Sequence, residues 1–199
     1  QGWSRSTSRS PRCSRLPPAP PNAANTVLTS ILGDSVAGRI NLDLREQKQW
    51  AFWAAGSVEG GRAGQMLLIR TQVQSQRTAE SIAAIRGHLE GVKGSTPISA
   101  DELQLAKDMV TLSLPLQWET DEGIANAVAT TLRRGLPDGA IEKYVTDVRA
   151  VTREQVEQAA RQVLHADALV WLVIGDRSKV EPQLRKAGIT FKVTAPETE

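Results

Sequence analysis

From Ala23 onward, apolar residues recur with a helical period, then a strand period, then a helical one again. Val27, Leu28, Ile31 and Leu32 share one helical face, and Gly33 supplies a stop. Asp34 or Ser35 caps a second predicted helix whose inner face is Val36, Ile40 and Leu44. Residues 50–58 (WAFWAAGSV) read as a strand and Glu59-Gly60-Gly61 as a turn. Residues 65–74 (QMLLIRTQVQ) read as a strand antiparallel to the first. Strand alternation puts Trp50 and Phe52 on one face and Trp53 on the other.

Ile82, Ile85, Leu89 and Val92 mark a helix ending at Gly94. Ser99 and Glu102 form a capping box for a helix lined by Leu103, Ala106, Val110 and Leu112, which Pro115 ends or kinks. Thr120, Asp121 and Glu122 open another helix; Ile124, Ala127, Val128 and Leu132 are its inner face, and Gly135 stops it. Residues 138–149 read as a helix with Ile141, Tyr144, Val145 and Val148 inside. Thr152 and Gln155 box the start of the next, which carries Val156, Ala159 and Val163. Ala168 to Ile174 (ALVWLVI) is a continuous apolar run of the kind a central strand needs. A short helix around Val180 to Leu184 and an edge strand near Thr190 to Val193 follow. This order predicts an α+β fold, a mostly antiparallel sheet covered on one face by helices.

Composition divides the chain. Residues 1–22 hold Arg5, Arg9, Arg12 and Arg15, no acid, and many Ser and Pro. Such a segment buries too little apolar area to offset its ordering entropy and reads as a disordered or artefactual arm. Residues 23–194 form the predicted domain, and 195–199 a frayed tail. The whole chain is 40% hydrophobic and 23% charged with a net charge of +2, an ordinary globular balance that does not suggest a nucleic-acid surface. No apolar window approaches the ~20 residues of a membrane span. The single cysteine, Cys13, allows no internal disulfide.

Catalytic chemistry is hard to build from these residues. Only His88 and His165 are available as imidazoles, and neither has a second histidine or a glutamate at metal-binding spacing. Each suits a structural or surface role, His165 at a helix C-terminus. There is no Gly-x-Ser-x-Gly elbow, no Cys-His arrangement and no phosphate loop.

The stretch Leu44-Arg45-Glu46-Gln47-Lys48-Gln49-Trp50-Ala51-Phe52, with Leu32-Gly33 and Arg39-Ile40-Asn41 before it, resembles a helix-to-strand junction of the pitrilysin/insulinase family of zinc metallopeptidases, roughly "LGG…SRLN…LRE.KGY.Y". Further pieces are Thr78-Ala79-Glu80, Pro97-Ile98-Ser99, Gly135-Leu136-Pro137, Ala150-Val151-Thr152 and Val173-Ile174-Gly175-Asp176, so that the resemblance spans residues 23–186. That family is built from two similar halves, only one of which holds zinc through H-x-x-E-H; the resemblance here is to the second, metal-free half. It implies a metalloprotease-lobe fold and a chain inactive by itself, with zinc in a homologous partner domain or subunit. It also implies a peptide substrate; the balance of charge and the lack of a spanning apolar window give neither nucleic acid nor membrane as partner. The alternative is a structural or interaction subunit of the same fold. By resemblance, the compartment is a bacterial periplasm or cell envelope.

The resemblance assigns substrate binding to Arg45, whose guanidinium would donate to substrate carbonyls. It assigns the family's tyrosine position to Phe52, which has no hydroxyl, and Phe52 and Trp50 join Arg45 as candidate substrate-binding residues. Gln49 stands where the family has glycine. The family's second half also opens with an apolar strand and a "VD.PG"-like turn, absent here. Back-translated one frame over, Gln1 to Arg9 permits Gly-Leu-Val-Ala-Val-Asp-Gln-Pro, which suggests a frameshift hypothesis; an intact frame on resequencing the gene refutes it.

Overall fold

A computed structural model describes residues 22–61, 64–117, 119–134, 137, 139–165 and 169–194. The expected arm at 1–22 and tail at 195–199 lie outside these, except for Asn22. Asn22 starts the first helix, α1 (Ala23–Thr29): its Oδ1 accepts the Ala24 N–H at 3.0 Å. The coil widens to a π-helical turn over Ser30–Asp34, and the chain leaves helical geometry at Gly33. The second helix, α2 (Arg39–Asn41), starts later than expected, after Gly38, and widens over Leu42–Gln47. Its late start takes Val36 off the helix; Ile40 and Leu44 are buried as expected, whereas Val36 is exposed. Gly38 packs backbone to backbone: a Cβ there would stand 2.6 Å from Gly33 Cα.

Strands β1 (Ala51–Gly61) and β2 (Gly64–Val73) form an antiparallel hairpin, the whole sheet among the described residues. The register pairs Ala51 with Val73 but Trp53 with Gln72, so Phe52 is the extra residue of a β-bulge. The other edge of β1 is closed by a side chain. Asn41 Oδ1 accepts the Ala54 N–H at 2.8 Å, and Asn41 Nδ2 donates to the Ala54 carbonyl at 2.6 Å and the Ser35 carbonyl at 3.0 Å.

The remaining helices are α3 (Thr78–Gly91), α4 (Ala100–Gln117), α5 (Asp121–Arg134), α6 (Ala140–Ala150), α7 (Arg153–Val163) and α8 (Arg177–Lys186). Both expected capping boxes form. Ser99 Oγ accepts the Glu102 N–H at 3.1 Å while Glu102 Oε2 accepts the Ser99 N–H at 3.0 Å. Thr152 and Gln155 exchange the equivalent bonds. Gly139, at φ 77, enters α6 in the left-handed region, where glycine alone is free of strain. Pro115 lies inside α4, which stops two residues further on at Gln117.

The main core joins the inner faces of α1, α2, α3, α6 and α7 to Ala54, with Leu67 and Ile69 of β2 packed on it. A smaller cluster sets Ala79 and Ile82 of α3 against Val180 and Leu184 of α8. Helix α4 is tied to α2 by a forked ion pair: Arg39 Nε and Nη2 donate to Glu102 at 2.7 and 2.9 Å. The same guanidinium donates to the Thr96 and Pro97 carbonyls.

Two expectations are corrected. The apolar stripe of α5 does not face inward: Ile124 and Val128 are 49% exposed and Leu132 is 71% exposed, because no element among the described residues packs closely over that face. Leu112 on α4 is likewise exposed. The runs expected to be strands near 168–174 and 190–193 are not strands in their described residues, 169–174 and 190–193. A strand exists only as one member of a ladder, and among the described residues neither run is paired in one.

Candidate functional site

The junction between α2 and β1 is made by local rules. The wide turn after α2 ends as the Lys48 N–H bonds the Asp43 carbonyl at 2.9 Å and the Trp50 N–H bonds the Leu44 carbonyl at 2.8 Å. Closing it needs a left-handed residue, and Gln49 takes that role at φ 55. The Gln74 N–H then bonds the Trp50 carbonyl at 2.8 Å, and its side-chain amide bonds the Gln49 carbonyl at 2.9 Å, so the end of β2 clamps the turn.

Trp50 is the root of this junction. It is half-buried against the main core, with Lys48 Nζ 5.0 Å and the Arg77 guanidinium 5.3 Å from its ring centroid. Lys48 is also held by Asp43 at 2.7 Å, and the same Asp43 oxygen lies 3.0 Å from His88 Nε2. Burial raises the Asp43 pKa, but the hydrogen bonds from Lys48 and His88 outweigh it and hold the carboxyl below its ordinary value. These partners also decide the metal question here. Asp43 and His88 share their site with an ammonium, which is no ligand, and no group of three ligating side chains exists among the described residues. The residues do not fit a zinc ion.

Arg45 and Phe52 stay accessible. Among the described residues Arg45 pairs with adjacent Glu46, at 3.3 Å, and both side chains are about half exposed, so the pair restrains the guanidinium weakly. Phe52 is 77% exposed. The expected alternation of Trp50 and Phe52 on one face fails because the bulge adds a residue, and a one-residue shift swaps faces. The structure thus keeps Arg45 and Phe52 in solvent and turns Trp50 inward. Sequence reasoning missed Asp43, Lys48 and Arg77 as the shell around Trp50. Lys48 lay two residues from Trp50, but Arg77 carried no sequence signal, since only the fold brings it there. A separate groove of about 480 Å³ opens where α1 begins beside α6 and α7, lined by Asn22, Asp147, Val151, Gln155, Gln158 and Gln162 among others. None of Arg45, Trp50 and Phe52 lines it.

Comparison with known proteins bears on this junction directly. Residues 15–110 match the family described as "Peptidase M16 inactive domain", and the match contains the whole of α2, Gln49, Trp50 and Phe52. The match covers just under half of the chain, and over those residues the chain is similar to the inactive domain of that family. The resemblance to the metal-free half of the pitrilysin/insulinase enzymes is borne out, and with it the α+β fold of helices and a small antiparallel sheet.

Solved structures agree in fold. A peptidase M16 inactive domain from Pseudomonas fluorescens superposes with a TM-score of 0.67 at 18% identity, over 77% of this chain and 37% of that one. The inactive peptidase domain of a protein described as a zinc protease from Bordetella parapertussis gives 0.64 at 19% identity, over 77% and 84%. The periplasmic protease PqqL from Escherichia coli gives 0.58 at 19% identity, over 75% and 17%. The aligned region is only about a third of the length of several of these structures, as with the 37% above and the 35% of a Helicobacter pylori protease. No curated protein sequence matches the chain. No helix among the described residues is long and apolar enough to cross a membrane.

Proposed function

We propose that this chain is the non-catalytic half of an M16-type zinc endopeptidase, and that it encloses a peptide chamber together with a zinc-bearing half. One observation supports the proposal: the inactive-domain match covers the junction at which Phe52 is exposed and Arg45 is about half exposed, held only weakly by Glu46. When bound in the other half, zinc supplies an activated water. This chain's part is to bind and orient the peptide. Arg45 donates its fixed fork of N–H groups to substrate carbonyls, Phe52 contributes an apolar contact, and Trp50 anchors the turn that carries both. Residues 23–194 act as one domain in this scheme. The partner is a homologous zinc-bearing domain or subunit, and the compartment is the periplasm or cell envelope, in keeping with the periplasmic neighbour.

Reconstitution with a zinc-bearing half tests the reading. Peptidase activity should depend on both chains, and Arg45→Ala should lower it by about 10²–10³, the scale of one lost oxyanion-type donor. Activity indifferent to this chain refutes the proposal. The lack of a hydroxyl at Phe52 favours a second reading, a structural or interaction subunit without a role in proteolysis. Phe52→Tyr separates the two: turnover rises if the junction meets substrate and is unchanged if the chain is a scaffold.

A further inference from the structure

Helix α5 is oriented against the usual amphipathic rule. Its small or polar residues Gly123, Ala127, Thr130 and Thr131 are half-buried, while Ile124, Val128 and Leu132 are exposed. Spaced four apart, these three form one apolar ridge along the helix. The preceding helix, α4, also carries an exposed row, Leu105, Met109 and Leu112. Large apolar side chains gathered in a row and turned to water mark an interaction surface.

The ends of α5 bear on what fits that ridge. Asp121 and Glu122 open the helix, and Arg133 and Arg134 close it. Within one chain those charges suit the helix dipole. Against a second, antiparallel α5 they do more. A two-fold axis at Val128 sets position 124 against the partner's Leu132, and position 122 against the partner's Arg134. Apolar then meets apolar along the middle, and acid meets base at both ends. A parallel pair would set acid against acid and arginine against arginine.

We infer that α5 is a self-association face that takes a second copy of this chain, as an antiparallel helix pair centred on Val128. The symmetry of ridge and charge about one residue selects this occupant over an unrelated partner. Each copy presents what the other needs, so the contact closes at two chains and does not extend into a fibre. It is also small. A 14-residue helix is about 21 Å long, and laid on another it buries on the order of 400 Å² per copy, about half of what a stable interface uses. The pair is therefore weak and depends on concentration. It requires no zinc-bearing half and stands apart from the proposed role in proteolysis.

Sedimentation velocity of the full chain from about 5 to 500 μM tests the inference, with a reversible shift from one chain to two expected at about 20–200 μM. Val128→Glu and Val128→Lys each set like charges face to face at the axis and should weaken the dimer by about tenfold or more. Mixed in equal parts they set opposite charges there, and the mixture should associate about tenfold more tightly than either alone. Circular dichroism checks that both variants fold; if one does not, Leu132→Ser takes its place and should weaken the dimer by about fivefold or more. A chain monomeric at the highest concentration, a species larger than a dimer, dimers indifferent to these substitutions, or a mixture no tighter than its parts overturns the inference. So does a face taken by another body: a monomeric chain whose Val128→Glu variant loses its hold on a zinc-bearing half has that half on α5 instead.

Discussion

Asn41 is where the fold should be most sensitive to a single polar side chain. Both Asn41 and Ala54 are 4% exposed, and the Asn41 amide satisfies both backbone groups of Ala54. Asn41→Leu keeps the branching and number of side-chain heavy atoms but orphans that N–H and C=O. The Ser35 carbonyl suffers less, since the Gly38 N–H still bonds it at 3.0 Å. Each buried orphan costs about 1–3 kcal/mol, and the added apolar burial returns about 1–2 kcal/mol, so the two orphans leave a net loss of about 0–5 kcal/mol, with about 2.5 kcal/mol at mid-range. That is a large share of the about 5–15 kcal/mol that holds a typical domain together. Urea unfolding followed by circular dichroism measures it as a lowered midpoint at constant slope. Asn41→Asp supplies an internal control. Its carboxylate can accept the Ala54 N–H but faces the Ala54 carbonyl with a second negative oxygen, whereas the protonated acid can donate there. Its deficit relative to the parent chain at the same pH should therefore shrink on acidification. No loss, or a gain in stability, for Asn41→Leu with unchanged slope, or a pH-independent deficit for Asn41→Asp, refutes the account.

Other outcomes follow from single geometries. Gln49→Gly should stabilise the chain by about 1 kcal/mol by relieving a left-handed backbone, read as a higher urea midpoint. Gly38→Ala should cost about 1–3 kcal/mol, because the new methyl meets backbone at 2.6 Å and neither segment can yield by a rotamer change. The hydrogen bonds from Arg39 hold Glu102 at about 2, below its ordinary 4.5, against the opposing effect of burial and with help from the Ser99 N–H. Because the folded-state value is the lower one, this stabilisation is present above about pH 4.5 and fades as pH falls towards 2. It should amount to about 1–2 kcal/mol after solvent screening, and acid titration of stability in Glu102→Gln should lack that component.

Features settled within four or five residues were legible in the sequence. The boxes at Ser99/Glu102 and Thr152/Gln155 are local hydrogen-bond exchanges, and they form as read. The hairpin was legible because a glycine-rich stretch separates two β-prone runs, although Glu59, Gly60 and Gly61, read as its turn, are the last paired residues of β1. What escaped depended on distant neighbours. Periodicity identifies the stripe on α5 but says nothing about whether another element covers it. An apolar run such as Leu169–Ile174 supplies strand propensity, but a ladder also requires an opposite edge. At the junction, Arg45 and Phe52 were visible through family likeness, while the bulge that turns Phe52 outward is a property of pairing between β1 and β2.

The uncovered face of α5 also has a kinetic consequence. A helix of 14 residues draws most of its hold from the layer beneath its greasy side, and here that side meets water. Its amides should exchange hydrogen early, well before those of α1 and α7, whose apolar sides are sealed in the main core. Whatever body comes to rest on Ile124, Val128 and Leu132 would slow that exchange, so the rate at α5 is a gauge of assembly that can be read without any assay of activity.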